Sequence, residues 1–303
     1  MKNYAPIIIF TYNRYDAIYL TINALKKNYL IDKVDIYIYS DKEKTSKDSQ
    51  KVRKVRKYLN TLKNDFNSIT IIQRRFNYGL ARNIIEGVTE LINKYEKVIV
   101  LEDDLITSEN FLCYMHESLE YYKDRKDVFS ISGYTGNLSS IKHLKEDSYL
   151  SYRPSSWGWG TWKNQWNNID WEIKDFEEFI KNKKQIKKFN RGGIDMTRML
   201  KHYQEGKNNS WAIRWSYAMY KQNKYSVYPK ISKVQNIGFG DDATHCSGIN
   251  IYKTTLDKTK QCTFNFTDET EPNKLIAKDF RYQYSYTNKL LKKIQGYYER
   301  YKK

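Results

Sequence analysis

The 303-residue sequence lacks several features that would assign it to a common protein class. No apolar run approaches the roughly 18 residues that a membrane-spanning helix needs. A predicted strand begins shortly after Met1, so we expect no signal peptide. The three cysteines, Cys113, Cys246 and Cys262, are odd in number and lack the spacing of metal ligands or redox pairs. We therefore expect reduced thiols in a cytoplasmic protein.

Glycine-rich phosphate loops are also missing. The sequence has neither a Walker nor a dinucleotide-binding pattern, which disfavours a P-loop NTPase or a dehydrogenase. Lysine and arginine number 53 against 35 acidic residues. The net charge of +18 indicates either an anionic partner, which could be a membrane, or a basic surface that is solvated by water. No RNP-type, GXXG or zinc-finger pattern accompanies that charge. The hypothesis of a nucleic-acid-binding protein therefore depends on charge and aromatic content alone. We expect no nucleic-acid partner.

The first 125 residues alternate predicted strands with predicted helices. Apolar runs predict strands at residues 6–11, 34–39, 69–73 and 97–101. The clearest helix carries apolar residues spaced four, four, three and four apart: Leu80, Ile84, Val88, Leu91 and Tyr95. This alternation predicts an α/β fold, with a mainly parallel twisted sheet and helices on both faces.

Three adjacent acids, Glu102, Asp103 and Asp104, follow the apolar run at residues 97–101. Open α/β sheets bind ligands beyond the carboxyl ends of their strands, where these acids fall. An acidic turn in solvent is the alternative, but a buried strand that leads directly into the acids favours a ligand site. We interpret the cluster as a site for Mn²⁺ or Mg²⁺ that carries an anionic ligand.

Other polar residues follow the neighbouring strands. Asn13 and Arg14 come after the first strand, and Asp41 comes after the second. Strand ends of a parallel sheet meet at one edge, so these side chains should converge on the acids. A cationic donor for phosphate next to carboxylates for ribose and metal suits a nucleotide diphosphate.

Past residue 125 the alternation fades and tryptophans become frequent. Gly158 separates Trp157 from Trp159, and such glycines let the backbone approach a ligand while rings form its walls. We expect these two tryptophans to stack on a sugar. Core packing is the better interpretation for two later tryptophans, and it is an alternative for a pair four residues apart on a predicted helix: Trp166 and Trp171, then Trp211 and Trp215.

Residues 9–14, 100–104 and 157–159 together resemble the motifs of a GT-A glycosyltransferase. The sequence is most similar to the N-acetylglucosaminyltransferase I type, with family 2 glycosyltransferases as more distant relatives, over roughly residues 5–250. The resemblance implies a GT-A fold and transfer of a sugar from a nucleotide-diphosphate donor, with UDP as the expected nucleotide and Mn²⁺ or Mg²⁺ on the diphosphate. It implies a nucleotide-sugar-binding half at 1–125 and an acceptor-binding half of the same domain at 126–250. A C-terminal extension with a basic amphipathic helix follows at 251–303.

The resemblance also implies roles for individual residues. Asp104 would ligate the metal, and His245 would add a metal or diphosphate contact, although a lone histidine is more often an ordinary polar residue. The expected nucleotide-sugar contacts are Thr11, Asn13, Arg14, Asp41, Arg82, Glu102 and Asp103. The expected acceptor or sugar contacts are Trp157, Gly158, Trp159, Trp211 and Arg214.

The sequence departs from the family at the catalytic base. Inverting members carry an aspartate between two tryptophans, whereas residues 211–215 contain no acid. Other candidates are Asp195, Glu205, Asp241 and Asp242, and the loop position favours Asp242. An ordinary loop residue at Asp242, or a retaining mechanism in which the leaving phosphate takes the proton, stays open. The missing acid also keeps a non-catalytic glycan-binding protein as a second hypothesis.

The last thirty residues alternate apolar and basic side chains. This pattern is typical of an interfacial membrane helix, and it equally fits a helix docked on the parent domain. We expect weak contact with the anionic inner face of the cell membrane. A cytoplasmic enzyme there would act on a glycan or lipid-linked glycan, in synthesis of capsule, lipopolysaccharide or a similar bacterial polymer.

Overall fold

The computed structural model describes residues 4–239, 250 and 252–301. In chain order, the strands of the described residues, β1 to β10, are Ile7–Thr11, Ile36–Ser40, Ile69–Gln73, Lys97–Glu102, Leu105–Thr107, Val128–Ser132, Ser148–Ser151, Trp159–Trp162, Tyr225–Pro229 and Val234–Asn236. The helices, α1 to α11, are Tyr15–Leu25, Ser49–Thr61, Gly79–Tyr95, Phe111–Tyr121, Lys163–Trp166, Phe176–Lys181, Lys183–Phe189, Met196–Gln204, Trp211–Lys221, Lys274–Gln283 and Tyr286–Tyr301.

The central sheet has eight strands in the order β3-β2-β1-β4-β8-β6-β9-β7. Strands β3, β2, β1 and β4 are parallel, as are β6 and β9. Strand β8 is antiparallel to both of its neighbours, and β7 is antiparallel to β9. The carboxyl ends of β1, β2 and β4 therefore meet at one edge, and the predicted α/β fold with a mainly parallel sheet is confirmed.

Helices cover both faces of this sheet because the central strands are apolar on both sides. Along β1, Ile7 and Ile9 pack in the cluster that contains α1 and α2, and Ile8 and Phe10 pack in the cluster that contains α3. All four side chains are buried. Successive strand residues point to opposite faces, so an uninterrupted apolar run is what a doubly covered strand requires.

Strand β5 leaves the central sheet and pairs with β10 in an antiparallel two-stranded ribbon. Because only two residues separate the end of β4 from the start of β5, the chain must turn sharply between them. The residues at this turn are Asp103 and Asp104. The ribbon thereby places the acidic cluster between the main sheet and the segment that follows β10.

Cys113 on α4 and Cys262 form a disulfide between residues 149 positions apart. The expectation of reduced thiols is wrong for this pair, because local spacing carries no information about cysteines that only the fold brings together. Disulfides persist in oxidising compartments, so the cysteines no longer support a cytoplasmic location. Cys246 lies outside the described residues.

The C-terminal extension packs on the sheet domain. Phe264, Phe266 and two apolar residues of α10, Ile276 and Phe280, are buried in the same cluster as the outer face of β1. Apolar residues of α11 are exposed, among them Leu290. Within the described part of the chain, no helix combines the length and apolarity needed to cross a bilayer.

Candidate functional site

The acidic cluster is held rigidly at the end of β4. The Thr21 hydroxyl of α1 donates to the main-chain oxygen of Asp103 at 2.8 Å. The main-chain oxygen of Asp104 accepts from the N–H of Ile237 at 2.8 Å. The turn is therefore tied to a helix on one side and to the segment after β10 on the other.

Arg14 links two of the three acids. It follows β1, and its guanidinium donates to Oδ2 of Asp104 at 2.9 Å and also to Oδ1 of Asp103. The Thr11 hydroxyl donates to the other oxygen of Asp103 at 2.9 Å. About a fifth of the Arg14 side chain is exposed, 22%, against 4% for Asp103 and 11% for Asp104. Of the strand-end residues predicted to converge on the acids, Arg14 contacts them in a buried charge cluster, whereas Asn13 and Asp41 contact other groups.

Burial and mutual repulsion set the protonation of these acids. Burial, and then the charges of Asp104 and Asp103, raise the pKa of Glu102 to about 8, although Arg14 opposes the shift. Burial raises the pKa of Asp103 to about 6, again against the attraction of Arg14. Burial disfavours the charged form of Arg14, but the two aspartates outweigh it and raise its pKa. The raised pKa leaves Glu102 largely protonated at neutral pH, so the negative charge of the cluster rests on Asp103 and Asp104, which share the single guanidinium of Arg14.

The donor set of the cluster fits a divalent cation. Carboxylate oxygens are the hard ligands that Mn²⁺ and Mg²⁺ bind, and the two carboxylates of Asp103 and Asp104 share the single guanidinium of Arg14. The described residues contain no preformed group of three His, Cys, Asp or Glu side chains arranged around a metal position. A cation at this site would therefore complete its coordination with ligand oxygens and water.

Two residues next to Asp104, Asn236 and Gly238, were not predicted from the sequence as part of the site. A Cβ on Gly238 would lie 2.0 Å from Oδ2 of Asp104, so any other residue at 238 would displace that carboxylate. The N–H of Gly238 bonds to the side chain of Asn236 at 2.7 Å, and Asn236 also approaches Oδ1 of Asp104 at 3.5 Å. The only sequence signal was a glycine in a polar loop, which did not indicate its partner.

Asp41 has a structural role in place of the predicted ribose contact. Its Oδ1 accepts from the N–H groups of Lys42 and Tyr78, both at 2.9 Å. Its Oδ2 accepts from the N–H of Gly79 at 2.9 Å and from Asn77 at 3.3 Å. These donors use the acceptor capacity of the buried carboxylate, which caps the start of α3. The structure therefore contradicts the predicted contact between Asp41 and a nucleotide.

Three further predicted nucleotide contacts are differently placed. Thr11 is buried, and its hydroxyl is committed to Asp103, so it positions an acid and does not face a ligand. Asn13 donates to Asp48 at 3.0 Å. Arg82 is exposed on α3, where it pairs with Glu86 at 2.6 Å. A nucleotide contact by Asn13 or Arg82 stays a prediction.

Trp157 lies at the rim of the site in a group of aromatic rings. Its half-buried indole contacts the rings of Tyr134, Tyr252 and Phe239, with centroids 4.7, 5.8 and 6.0 Å away. Phe239 directly follows Gly238, so this group borders Asp104. The three partner rings were missed because they are distant from Trp157 in the sequence.

Gly158 has a backbone role. Its φ of 59° lies in the left-handed region, and a Cβ there would come within 2.7 Å of Val234. The glycine therefore lets the Trp157 loop pack closely on β10. A direct sugar contact by Gly158 stays a prediction.

Trp159 and Trp211 are core residues, and the predicted sugar contact is wrong for both. Trp159 has 0% exposure in β8, and its ring stacks on Trp166 with centroids 5.6 Å apart. Trp211 on α9 is 3% exposed and packs 5.3 Å from Trp159. Buried rings that are covered on both sides offer no face to a ligand. The expected core position of Trp166 is confirmed.

Arg214 is also turned into the protein. Its Nε donates to the main-chain oxygen of Ser210 at 3.2 Å, and its guanidinium lies 4.7 Å from the centre of the Tyr203 ring. Only 6% of the residue is exposed. The structure therefore contradicts the predicted contact between Arg214 and the acceptor.

Neither described candidate for the catalytic base is free to act. Asp195 is buried between Arg153 and Lys289, at 2.7 and 2.8 Å. Glu205 pairs with Lys207 at 2.7 Å on the surface. The remaining candidates, and the predicted metal contact His245, lie outside the described residues: Asp241, Asp242 and His245.

In a comparison with protein families, the chain matches the family described as Glycosyl transferase family 2 over residues 7–203. The matched part contains Arg14, the acidic cluster and the Trp157 loop. Family 2, expected as the more distant relative, is thus the family that matches, and the N-acetylglucosaminyltransferase I type is not singled out. Comparison with curated proteins gives no match.

Solved structures with a similar course of the chain include TarS 1-349, a mannosyltransferase and a galactosyltransferase. TarS 1-349 of S. aureus is 10% identical with a TM-score of 0.45, over 78% of this chain and 60% of that one. The mannosyltransferase PcManGT of Pyrobaculum calidifontis, in complex with GDP-Man and Mn²⁺, is 10% identical with a TM-score of 0.42, over 72% and 68%. The galactosyltransferase LgtC is 9% identical with a TM-score of 0.37, over 74% and 72%. The chain thus spans less than two thirds of TarS 1-349, and these likenesses are too distant to assign a substrate.

Proposed function

The chain belongs to glycosyl transferase family 2, and from that membership we propose that it is a metal-dependent glycosyltransferase. It moves a sugar from a nucleotide-diphosphate donor, with UDP as the nucleotide, to a glycan hydroxyl. The observation that supports this proposal is the Arg14–Asp103–Asp104 cluster at the carboxyl edge of the parallel sheet. Its cationic donor and excess of carboxylates suit a diphosphate with its counter-ion.

In the proposed reaction an acceptor hydroxyl oxygen attacks the anomeric carbon as the bond from that carbon to the diphosphate breaks. Arg14 is the exposed member of the cluster, and its planar guanidinium is suited to phosphate oxygens. Asp104 would hold Mn²⁺ or Mg²⁺, which neutralises charge on the departing diphosphate. Thr11 keeps Asp103 oriented by its hydrogen bond, and Glu102 completes the acidic edge.

The proton of the acceptor hydroxyl needs an acceptor of its own. Asp242 stays our proposed base for an inverting reaction, since Asp195 is neutralised by Arg153 and Lys289. Protonation of the leaving phosphate, in a retaining reaction, is the alternative. Trp157 is the ring that we propose for the acceptor side, because it is half-buried at the rim next to Phe239.

We propose a role in the synthesis of a bacterial surface polysaccharide such as capsule or lipopolysaccharide, with a glycan or lipid-linked glycan as acceptor. Exposed Leu290, Leu291 and Ile294 on α11 favour weak contact with a membrane surface. Placement at the inner face of the membrane remains part of this proposal. The Cys113–Cys262 disulfide is the observation that opposes a reducing compartment.

The test is the substitution Asp104→Asn, assayed by release of nucleotide diphosphate from UDP-sugars with Mn²⁺. Asparagine preserves the size of the side chain and removes the charge, so we expect turnover to fall about a thousandfold, or ~4 kcal/mol. Asp65→Asn is the matched control, because Asp65 makes only an exposed ion pair with Lys26. Wild-type turnover in Asp104→Asn would refute the assignment.

A non-catalytic glycan-binding protein is the second candidate. It is favoured by the absence of an acid at residues 211–215 and by the occupied carboxylate of Asp195. The same assay separates the two functions, since a binding protein would release no nucleotide diphosphate from any UDP-sugar, with or without an added glycan.

A further inference from the structure

A second concave site lies away from the acidic cluster, between α10, the turn Asn190–Gly192 and the segment after β7. The cavity has a volume of about 430 Å³, which is within the usual range for small-molecule sites, roughly 300–1,000 Å³. Its polar lining comes from four cationic side chains and two tyrosines: Arg191, Lys274, Lys278, Arg281, Tyr152 and Tyr282.

Three of the cations form a row along one face of α10. Lys274, Lys278 and Arg281 are four and three residues apart, so they lie above one another on the helix. The opposite face of α10 is anchored in the core by Ile276 and Phe280. The row is therefore fixed in direction by packing and does not depend on the positions of the side-chain tips.

Arg191 faces this row from the other wall. Its guanidinium lies 4.0 Å from the centre of the Tyr152 ring, and its Nε donates to the main-chain oxygen of Lys188 at 3.2 Å. Stacking on the ring holds the charge at the cavity wall. Two separate parts of the chain thus supply positive charge to the same space.

No carboxylate is among the described residues that line the cavity. Asp279 is on α10, but its carboxylate accepts from the side chain of Ser139 and the N–H of Ser140, both at 2.9 Å. Exposed lysines on a single helix are ordinarily solvated and need no partner. Here cationic side chains from two elements line one open, concave surface, and a bound anion would relieve their mutual repulsion.

The remaining lining is apolar or aromatic. Ile194, Pro272 and Ala277 contribute apolar atoms, the ring of Tyr152 is stacked by Arg191, and the exposed ring of Tyr282 offers a flat surface. Inorganic phosphate alone would leave most of this volume unfilled. The shape and lining therefore suit an anion attached to an uncharged body of about the size of a sugar or a glycerol unit.

We propose that this cavity binds a phosphate-bearing ligand, with the phosphate held by Lys278, Arg281 and Arg191 and its uncharged part against the tyrosines. The inference does not rest on the proposed transfer reaction. A phosphorylated glycan and the headgroup of an anionic lipid share this chemistry, and the experiment separates the two sources.

The test compares the wild type with the double variant Lys278→Gln, Arg281→Gln. The soluble probe is sn-glycerol 3-phosphate or glucose 1-phosphate in calorimetric titration, without divalent metal. The membrane probe is sedimentation with phosphatidylcholine vesicles containing 30% phosphatidylglycerol. We expect the wild type to bind at least one probe and the double variant to bind it at least tenfold more weakly. Lys278→Arg, Arg281→Lys should restore most of the affinity.

The matched control is Lys258→Gln, Lys260→Gln, which removes the same charge from two exposed lysines outside the cavity. Loss of binding in the cavity variant alone supports the proposal, with the probe that responds identifying the source. Equal loss in both double variants would mean unspecific charge attraction. Three results would overturn the proposal: equal loss in both double variants, unchanged binding in the cavity variant, and no binding of either probe to the wild type. Activity of Asp104→Asn is measured separately, so the two proposals fail independently.

Discussion

The acidic cluster at the end of β4 and the basic cavity beside α10 differ in whether the protein itself supplies a counter-charge. Arg14 bridges Asp103 and Asp104 within the cluster, whereas no carboxylate from the described residues lines the cavity. A ligand at the cluster must compete with an ion pair that is already formed. A ligand at the cavity would supply the missing charge itself.

The difference follows from how each region is built. The acids end a strand that is buried on both faces, and isolated buried carboxylates are costly, so the fold must provide a partner. The cations of the cavity sit on the exposed face of α10, where water can solvate them before a ligand arrives. Burial therefore dictates which of the two regions has its own counter-charge.

The largest expected effect comes from removing that counter-charge. Arg14→Gln leaves Asp103 and Asp104 without their cation, and we expect the free energy of unfolding to fall by about 3–5 kcal/mol at pH 8. Mn²⁺ can replace the lost charge, so it should raise the melting temperature of Arg14→Gln more than that of the wild type. Thermal unfolding with and without Mn²⁺ measures both changes.

Arg82→Gln is the matched control for this substitution. Arg82 makes an exposed pair with Glu86, and exposed pairs contribute little to stability. Its melting temperature should stay near that of the wild type under both conditions. If Arg14→Gln behaves like this control, Arg14 does not neutralise the cluster.

The sequence predicts that the strand ends lie at one edge, because strands that alternate with helices run parallel in the sheet. The partners within the site were not predictable, since hydrophobic periodicity does not encode the direction of side chains at a turn. Thr11 and Asp41 satisfy other groups of the protein, a role that residue type cannot distinguish from ligand binding. Distant pairs such as Cys113 and Cys262 are joined only by the fold.

Tryptophans show the same limit. Trp157 and Trp159 both flank Gly158, yet one is half-buried at the rim and the other is in the core. A glycine between two tryptophans predicts close approach of the backbone to a ligand, whereas Gly158 provides a left-handed backbone and close packing on Val234. The spacing of aromatic residues therefore draws attention to the Trp157 loop but does not predict which of its rings is accessible.

A second, smaller effect is expected at Asp195, which forms ion pairs with both Arg153 and Lys289. Burial alone would raise the pKa of Asp195, but the charges of Arg153 and Lys289 outweigh it and lower the pKa. A lowered pKa means that this carboxylate stabilises the fold above its unfolded pKa, and that the contribution is lost as pH falls through the folded pKa. Asp195→Asn should cost roughly 2 kcal/mol at pH 7, since asparagine keeps a hydrogen-bond acceptor.

Urea unfolding between pH 7 and pH 3 checks this expectation. Wild-type stability should fall on acidification more steeply than that of Asp195→Asn, which has no charge left to lose there. Glu205→Gln is the control, because its pair with Lys207 is on the surface. Parallel pH profiles for the wild type and Asp195→Asn would contradict the assigned role.

The smallest effect on stability, and the sharpest test of the comparison, comes from giving the cavity a counter-charge of its own. Ala277→Glu places a carboxylate in the lining between Lys274 and Arg281, one residue from Lys278. We expect the free energy of unfolding to change by less than ~1 kcal/mol, because these charges remain accessible to water. Binding of phosphate-bearing probes should nevertheless be lost, since the internal acid occupies the cations as Arg14 occupies the aspartates. Asn60→Glu adds the same charge to an exposed position of α2, outside the lining, and should keep binding; equal loss in both variants would mean that net charge, and not the cavity, attracts the ligand.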